Sequence, residues 1–163
     1  MKAPREILFR AKRIDNGKWV EGYYLYYKPL MISPLISDEY RHCITTLSGI
    51  TVFIDPTTLS QFTGWKDSHG NRIFENDIVE IVSTPKTSYK YLMWWNREMN
   101  LMEAVQLESI YFNGADYSDD NPQFTYETFC LMLQDPWGDF KDIKVIGNLF
   151  DNYDIIKEAL NGN

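Results

Sequence analysis

The chain has 163 residues, a length that fits one domain, or one domain with a small appendage. Its composition, with 44% hydrophobic and 24% charged residues, excludes a disordered or collagen-like chain, and no run of about 18 apolar residues is available to span a membrane. The net charge of −7 and the isoelectric point near 4.8 argue against a protein that coats nucleic acid.

The start of the chain and its two cysteines indicate a cytoplasmic location. The first ten residues lack the apolar core of a signal peptide. Cys43 and Cys130 lie 87 positions apart, and we expect both to be buried, reduced thiols without a disulfide or zinc. We therefore expect a cytoplasmic protein that does not contact a membrane.

Charge is distributed unevenly along the chain. Residues 1–20 carry six basic and two acidic groups, a net charge of +4, whereas residues 103–163 carry three basic and twelve acidic groups, a net charge of −9. Opposite charges on the two ends attract each other within one copy or between two copies. We expect a homo-oligomer in which the basic end of one copy meets the acidic end of another.

The first predicted elements form an N-terminal hairpin. Residues 6–13 alternate as a half-buried strand does, with Ile7, Phe9 and Ala11 on one side. Residues 15–17, Asp-Asn-Gly, are typical of a turn, and residues 19–27 resume a strand rich in aromatic side chains. The proline-containing stretch 28–40 shows neither period and predicts a long loop.

Two further hairpins and a strand are predicted in the middle of the chain. Residues 43–47 and 50–54 form two short strands around Ser48-Gly49. Turn-forming residues 66–71 lead into a strand over 73–82. Alternating apolar residues then predict a hairpin over 89–107, with its turn at 96–98.

The last third contains weaker signals. Residues 113–122 predict an exposed loop, and residues 125–134 predict a short helix. A closing strand is expected over 143–149, and Asn152 is placed to cap a terminal helix that buries apolar side chains, namely Ile156, Ala159 and Leu160. The predicted fold is therefore mainly β with a short C-terminal helix.

Three sequence blocks resemble those of one known family. The central block, residues 61–79, reads Gln-Phe-Thr-Gly-Trp-Lys-Asp-Ser-His-Gly-Asn-Arg-Ile-Phe-Glu-Asn-Asp-Ile-Val and is similar to the central motif of the YopX family. Residues 5–22 and 145–152 resemble its N-terminal and C-terminal motifs, in the same order. This resemblance implies a β-rich protein of bacteriophages and prophages, located in the host bacterial cytoplasm, and it implies no established activity.

The chain departs from the family motif at two positions. Trp65 stands where leucine is usual, and Asn76 stands where glycine precedes Asp77. Asparagine tolerates left-handed backbone geometry better than most residues, so we expect the backbone at Asn76 to persist.

The central motif is interpreted as structural. Gly64 and Gly70 supply unusual backbone dihedrals, Asp67 caps the turn through its side chain, and Asp77 ties the loop where the next strand begins. Gly147 and Asn148 are the corresponding structural residues of the C-terminal motif. The spacing suits the diverging loop of a small SH3-like barrel within a single domain 1–163, with a possible division into residues 1–55 and 56–163.

A catalytic interpretation of the same motif is the alternative. Asp67, Glu75 and Asp77 could act as paired carboxylates in a metal-dependent hydrolase, with Lys66 and His69 beside them. Other catalytic or cofactor patterns fail. Acidic residues 116–120 lack the order of a calcium loop, and His42, Cys43, His69 and Cys130 lack zinc-ligand spacing. No nucleophile elbow or phosphate-binding glycine loop occurs, so we expect no cofactor and no enzymatic activity.

Exposed cations and rings suggest binding surfaces. The basic N-terminal strand, with Arg10, Lys12 and Arg13 near several aromatic residues, could contact single-stranded nucleic acid, although charged residues on a strand also block edge pairing. Adjacent Trp94 and Trp95 place one ring on each side of their strand, and the candidate interface anchors are Trp94, Trp95, Tyr23 and Tyr24.

The sequence therefore predicts a phage accessory protein that acts by binding, either by self-assembly or by engaging a host or phage protein. Nucleic-acid binding by the N-terminal strand and metal-dependent hydrolysis by the central motif are the alternatives.

Overall fold

The computed structural model describes residues 6–27, 41–84, 87–96, 101–107 and 142–161. The predicted loops 28–40 and 113–122, the predicted helix 125–134 and Cys130 lie outside the described residues. The chain divides into two compact units, Met1–Gly64 and Trp65–Asn163.

Ten β-strands and one α-helix make up the regular structure of the described residues, together with a 3-10 helical turn at Pro56–Thr58. The strands are β1 (Phe9–Lys12), β2 (Trp19–Tyr26), β3 (His42–Thr46), β4 (Thr51–Phe53), β5 (Ser60–Lys66), β6 (Arg72–Phe74), β7 (Asp77–Thr84), β8 (Thr87–Asn96), β9 (Leu101–Gln106) and β10 (Asp142–Asn148). The helix is α1 (Tyr153–Asn161). Their antiparallel pairing confirms the predicted mainly β fold.

The first sheet has the strand order β4-β3-β2-β1-β5-β6, and β5 continues past Gly64 to pair with β6. The predicted hairpins β1–β2 and β3–β4 are confirmed, since Phe9 pairs with Gly22 and Cys43 pairs with Phe53. An isolated bridge between Arg13 and Ile54 brings the end of β4 back beside β1. The sheet therefore curls around a core made by Ala11, Ile44 and Ile54.

The expected alternation at the start of β1 is wrong. Ile7, expected on the same side as Phe9 and Ala11, is 56% exposed, whereas Leu8 is fully buried. Regular strand geometry begins only at Phe9. The carbonyl of Leu8 accepts a hydrogen bond of 2.8 Å from the Phe62 N–H of β5, which holds Leu8 against β5 just before the regular strand begins.

The second sheet has the order β10-β7-β8-β9 and is covered on both faces. One face carries a core of Ile73, Val79, Ile81, Tyr91 and Met93. The opposite face carries Ile78, Leu107 and Ile156, the last of which belongs to α1. The predicted β8–β9 hairpin is confirmed by the pairing of Met93 with Ala104.

The predicted strand over 73–82 is interrupted. β6 ends at Phe74 and β7 begins at Asp77, with a tight turn at Glu75 and Asn76. Asn76 has φ of +65°, a left-handed conformation outside the extended geometry of a β-strand. Its N–H donates to the carbonyl of Met93 at 2.7 Å, which anchors the turn against β8.

Barrel closure is not found among the described residues, and the SH3-like barrel expected after the central motif stays a prediction. Among the described residues, the single α-helix, α1, spans nine residues and is too short to cross a bilayer.

Candidate functional site

The central loop, residues 67–71, joins β5 to β6 and is organised around one buried carboxylate. Asp67 is only 6% exposed. Its Oδ1 accepts hydrogen bonds from the N–H groups of His69 (2.9 Å) and Asn71 (2.8 Å). Its Oδ2 accepts from the Asn71 side-chain amide (2.9 Å) and from the N–H of Val145 in β10 (3.2 Å). One side chain therefore closes the loop and ties it to a strand 78 positions later.

The electrostatics of Asp67 reflect a competition between burial and hydrogen bonding. Burial, the largest single effect, raises the pKa of the carboxyl group because it penalises the charged form. Hydrogen bonds from Asn71, Val145 and His69 favour the carboxylate, and together they hold the pKa of Asp67 below its ordinary value of 3.8. The group is a charged acceptor at neutral pH.

The central loop makes further contacts with β10. The N–H of Ser68 donates to the carbonyl of Ile143 at 2.9 Å, and the N–H of Ile143 donates back to Ser68 Oγ at 2.9 Å. His69 Nδ1 lies 4.0 Å from a carboxylate oxygen of Asp142. The loop and β10 are thus joined by backbone and side-chain hydrogen bonds together.

The two glycines of the central motif have left-handed backbones. Gly64 in β5 has φ of +93°, and Gly70 in the central loop has φ of +85°. An L side chain at either position would be strained, because its Cβ approaches the following carbonyl oxygen. At Gly70 the N–H also donates to the carbonyl of Asp67 at 3.0 Å, which completes the turn.

Asp77 closes the turn between β6 and β7. Its side chain is fully buried, and Oδ2 accepts a hydrogen bond of 2.7 Å from the N–H of Phe74. The carbonyl of Asn76 accepts from Leu149 N–H at 2.9 Å, which connects this turn to the segment after β10. The carboxylate thus supports the local backbone.

The carboxylates considered for metal-dependent hydrolysis lie at two different turns of the chain. Across the described ranges, which include Asp67, Glu75 and Asp77, no three His, Cys, Asp or Glu side chains come close enough together to hold a metal ion. Asp67 and Asp77 instead bond to backbone N–H groups of different turns. Asp67 therefore lies in the central loop, whereas Glu75 and Asp77 lie at the turn between β6 and β7, and the metal-dependent alternative stays a prediction.

The C-terminal motif is a compact asparagine-centred turn. Asn148 Oδ1 accepts from the N–H groups of Phe150 and Asp151, both at 3.0 Å. Asn152 was expected to cap α1, but its Oδ1 accepts a hydrogen bond of 3.1 Å from the N–H of Asn148, four residues before it. A Cβ at Gly147 would lie 2.6 Å from that same Asn152 oxygen, so only glycine leaves room for the turn.

The second candidate region is the outer face of the first sheet, which we define by the side chains of Arg10, Lys12, Trp19, Tyr23, Leu25 and Phe53. Strand alternation places these residues opposite the core formed around Ala11, Ile44 and Ile54. Tyr23, Leu25 and Phe53 are 52%, 51% and 44% exposed. The sequence prediction included Tyr23 but missed Leu25 and Phe53, because single exposed apolar residues on short strands carry no distinctive pattern.

Two cations of the outer face pack on one ring. The Arg10 guanidinium carbon lies 4.8 Å and Lys12 Nζ lies 5.5 Å from the centroid of the Trp19 ring. Such contacts are attractive because the face of an aromatic ring carries negative charge density. Arg13 is directed elsewhere, since its Nε donates to Asp15 Oδ1 at 2.9 Å. This hydrogen bond raises the pKa of Arg13 and lowers the pKa of Asp15.

The other predicted aromatic anchors are less exposed than Tyr23. Tyr24 is half-buried, and its hydroxyl lies 2.7 Å from His42 Nδ1. Burial, the largest effect, raises the pKa of the Tyr24 hydroxyl. Trp94 and Trp95 follow one another in β8 and therefore lie on opposite faces of the second sheet, where both are half-buried.

Cys43 is buried at 5% exposure and is a free thiol. Burial raises the pKa of this thiol, so it is protonated at neutral pH. In the strand register it lies between Leu25 and Phe53, on the same face of the sheet as these two residues.

A model of a known protein family matches most of this chain. The sequence model of a family described as YopX protein matches residues 8–157, which include both sheets and most of α1. The chain belongs to the YopX family. No curated protein is similar enough to be counted as a relative. The matched range includes both the central loop and the asparagine turn.

Proposed function

We propose that this YopX-family protein is a non-enzymatic accessory protein of a bacteriophage or prophage that acts in the host cytoplasm by self-assembly. The outer face of the first sheet is its contact surface. The observation that carries the proposal is the row of exposed Tyr23 and Leu25 on β2 and Phe53 on β4, on either side of β3, beside cations held on Trp19. Aromatic anchors surrounded by charged residues are typical of protein interfaces.

The register of the sheet makes this row continuous. Leu25 and Phe53 both pair with Cys43 of β3, from its two sides. Tyr23 lies two residues before Leu25 on the same face of β2. A flat partner surface could therefore contact all three side chains at once.

The size of the row sets the expected strength of association. Full burial of one such side chain contributes about 1.5–3 kcal/mol, so covering three half-exposed ones contributes about 2–4 kcal/mol. A micromolar dimer needs about 8 kcal/mol. Apolar contact with this row alone is thus too weak, and other contacts must contribute.

Charge complementarity supports a second copy of this chain as the partner. The outer face includes cations of the basic first twenty residues, which carry +4, while residues 103–163 carry −9. In a two-fold dimer each outer face would meet the acidic region of the other copy, so the same contact would form twice. Surface charge mainly accelerates association and selects the partner, whereas the apolar row slows dissociation.

Light scattering at increasing protein concentration, in low salt and near 0.15 M salt, tests the proposal. We expect a mass above that of the 19.2 kDa monomer, reduced by the double substitution Tyr23→Ser with Leu25→Ser. The matched control is Leu47→Ser with Ile50→Ser, because both residues are 61% exposed but lie at the β3–β4 turn. A monomer at every concentration, or an equal loss of mass in the control, would refute self-assembly through this face.

Binding of single-stranded nucleic acid is the second candidate, and the packing of Arg10 and Lys12 on Trp19 favours it. Phosphate contacts release counterions, so the logarithm of the affinity falls linearly with the logarithm of salt concentration. Fluorescence anisotropy of a labelled oligonucleotide measures this slope. Affinity that disappears in Lys12→Ala and falls steeply with salt would favour this candidate over self-assembly.

A further inference from the structure

We infer that the central loop is an edge cap that keeps β10 from pairing with a β-strand of another chain. β10 is the outermost strand of the second sheet and pairs with β7 on one side only. The outward side of such a strand presents backbone N–H and carbonyl groups that can add a further strand. This inference is independent of the proposed function, since the outer face belongs to the other sheet.

Hydrogen bonding identifies which groups of β10 face outward. In an antiparallel pair, successive residues alternate between bonding to the partner strand and pointing away from it. Both backbone groups of Ile143 bond to Ser68, and the N–H of Val145 bonds to Asp67. Ile143 and Val145 are two residues apart, so these three groups lie on the same, outward side.

The central loop imitates an added strand at these positions. A real strand would offer one carbonyl to the N–H of Ile143, one N–H to its carbonyl and one carbonyl to the N–H of Val145. Ser68 Oγ, the Ser68 N–H and Asp67 Oδ2 supply the same sequence of acceptor, donor and acceptor. The loop then returns towards β6, so it offers no further edge of its own along β10.

The partner excluded by the cap is a second copy of this chain. Two identical β10 edges are complementary when they run antiparallel about a two-fold axis. Because Ser68 and Asp67 already occupy the outward groups, such pairing would first have to break three hydrogen bonds.

Amide exchange and light scattering test the cap in the full-length protein. In Ser68→Ala, the N–H of Ile143 loses its acceptor, and we expect its exchange to accelerate roughly fivefold or more, as for loss of one net hydrogen bond. In the double variant Ser68→Ala with Asp67→Ala, we expect exchange at the N–H of Val145 to accelerate as well. We also expect the mass measured by light scattering to rise. His69→Ala is the matched control, because the backbone N–H of His69, which bonds to Asp67, is retained.

The outcomes separate this inference from the proposed function. If the double variant associates through uncapped β10 edges, its raised mass persists when Tyr23→Ser and Leu25→Ser are added. If it associates through the outer face, these two substitutions abolish the raised mass. If the double variant fails to fold, exchange at Ile143 in Ser68→Ala decides alone. Unchanged exchange at Ile143 in Ser68→Ala, or a folded double variant with the mass of the parent, overturns the inference.

Discussion

Replacing Asp67 by asparagine tests how much the central loop contributes to folding. The substitution preserves the shape of the side chain and removes its charge. It also replaces one acceptor oxygen by an NH₂ donor, so one of the two pairs of N–H donors around Asp67 would face another donor. The change thus tests the hydrogen-bonded carboxylate with little disturbance of packing.

The structure sets the expected magnitude. Asp67 accepts four hydrogen bonds, and hydrogen bonds to a charged group contribute about 1.5–3 kcal/mol each, although they are not additive. Asparagine retains the two bonds at one oxygen as neutral bonds and disturbs the two at the other. We therefore expect Asp67→Asn to lower the free energy of unfolding by about 2–4 kcal/mol at neutral pH.

The difference between parent and variant should depend on pH. The pKa of Asp67 is lower in the folded protein than its ordinary value of 3.8. The unfolded chain therefore binds the proton more readily, and the stabilisation is fully present above the unfolded pKa. It is lost as the pH falls from about 5 through the folded pKa. Parent and variant should thus converge in stability under acidic conditions.

Urea unfolding followed by tryptophan fluorescence at neutral and acidic pH measures both effects. Asp15→Asn is the matched control, since Asp15 also has a lowered pKa but is exposed, and its hydrogen bonds to Arg13 and to the backbone of residues 15 and 16 stay within its own turn. We expect the control to unfold close to the parent at neutral pH. If Asp67→Asn unfolds together with Asp15→Asn, or if its deficit is the same at acidic pH, the role assigned to this carboxylate is wrong.

Two further predictions concern the asparagine turn and the buried thiol. Gly147→Ala should lower the free energy of unfolding by about 1–3 kcal/mol, because the added methyl group overpacks against Asn152. The loss should be smaller in an Asn152→Ala background, and urea unfolding of the parent, both single variants and the double variant measures this coupling. Equal losses in both backgrounds would contradict the steric explanation. In a Cys130→Ser background, Cys43 should react with a thiol reagent far more slowly in the folded than in the urea-unfolded protein, because burial restricts access and raises its pKa. Equal rates, read from release of the reagent's chromophore, would show that this thiol is accessible.

Local signals in the sequence determined most of the individual elements. Alternating side chains and nearby turn residues predicted the hairpins β1–β2, β3–β4 and β8–β9, and the structure pairs each of them. Gly17 and Gly49, in the first two turns, have φ of +69° and +84°. Strand period and turn chemistry act over a few residues, so they can be read without knowing the rest of the fold.

The resemblance to the YopX family pointed to the residues that form the turns, but it did not indicate which distant residues they hydrogen-bond. Asp67 was expected to cap its own turn, and it does bond to His69 and Asn71. The bond to Val145 joins residues 78 positions apart, and nothing in the local sequence indicates it. Asn152 has the residue type of a helix cap, yet its side chain bonds backwards to Asn148.

Only the tertiary structure decided which strands became neighbours and which faces remained exposed. β10 pairs with β7, with most of the second unit between them in sequence, because both present complementary backbone edges and bury apolar residues on both faces of the sheet. Ile7 and Leu25 are as apolar as Leu8 and Ile44, but the first two are exposed and the last two are fully buried. Residue type fixes how much each side chain gains from burial, whereas the packing of distant strands determines which of them can be buried.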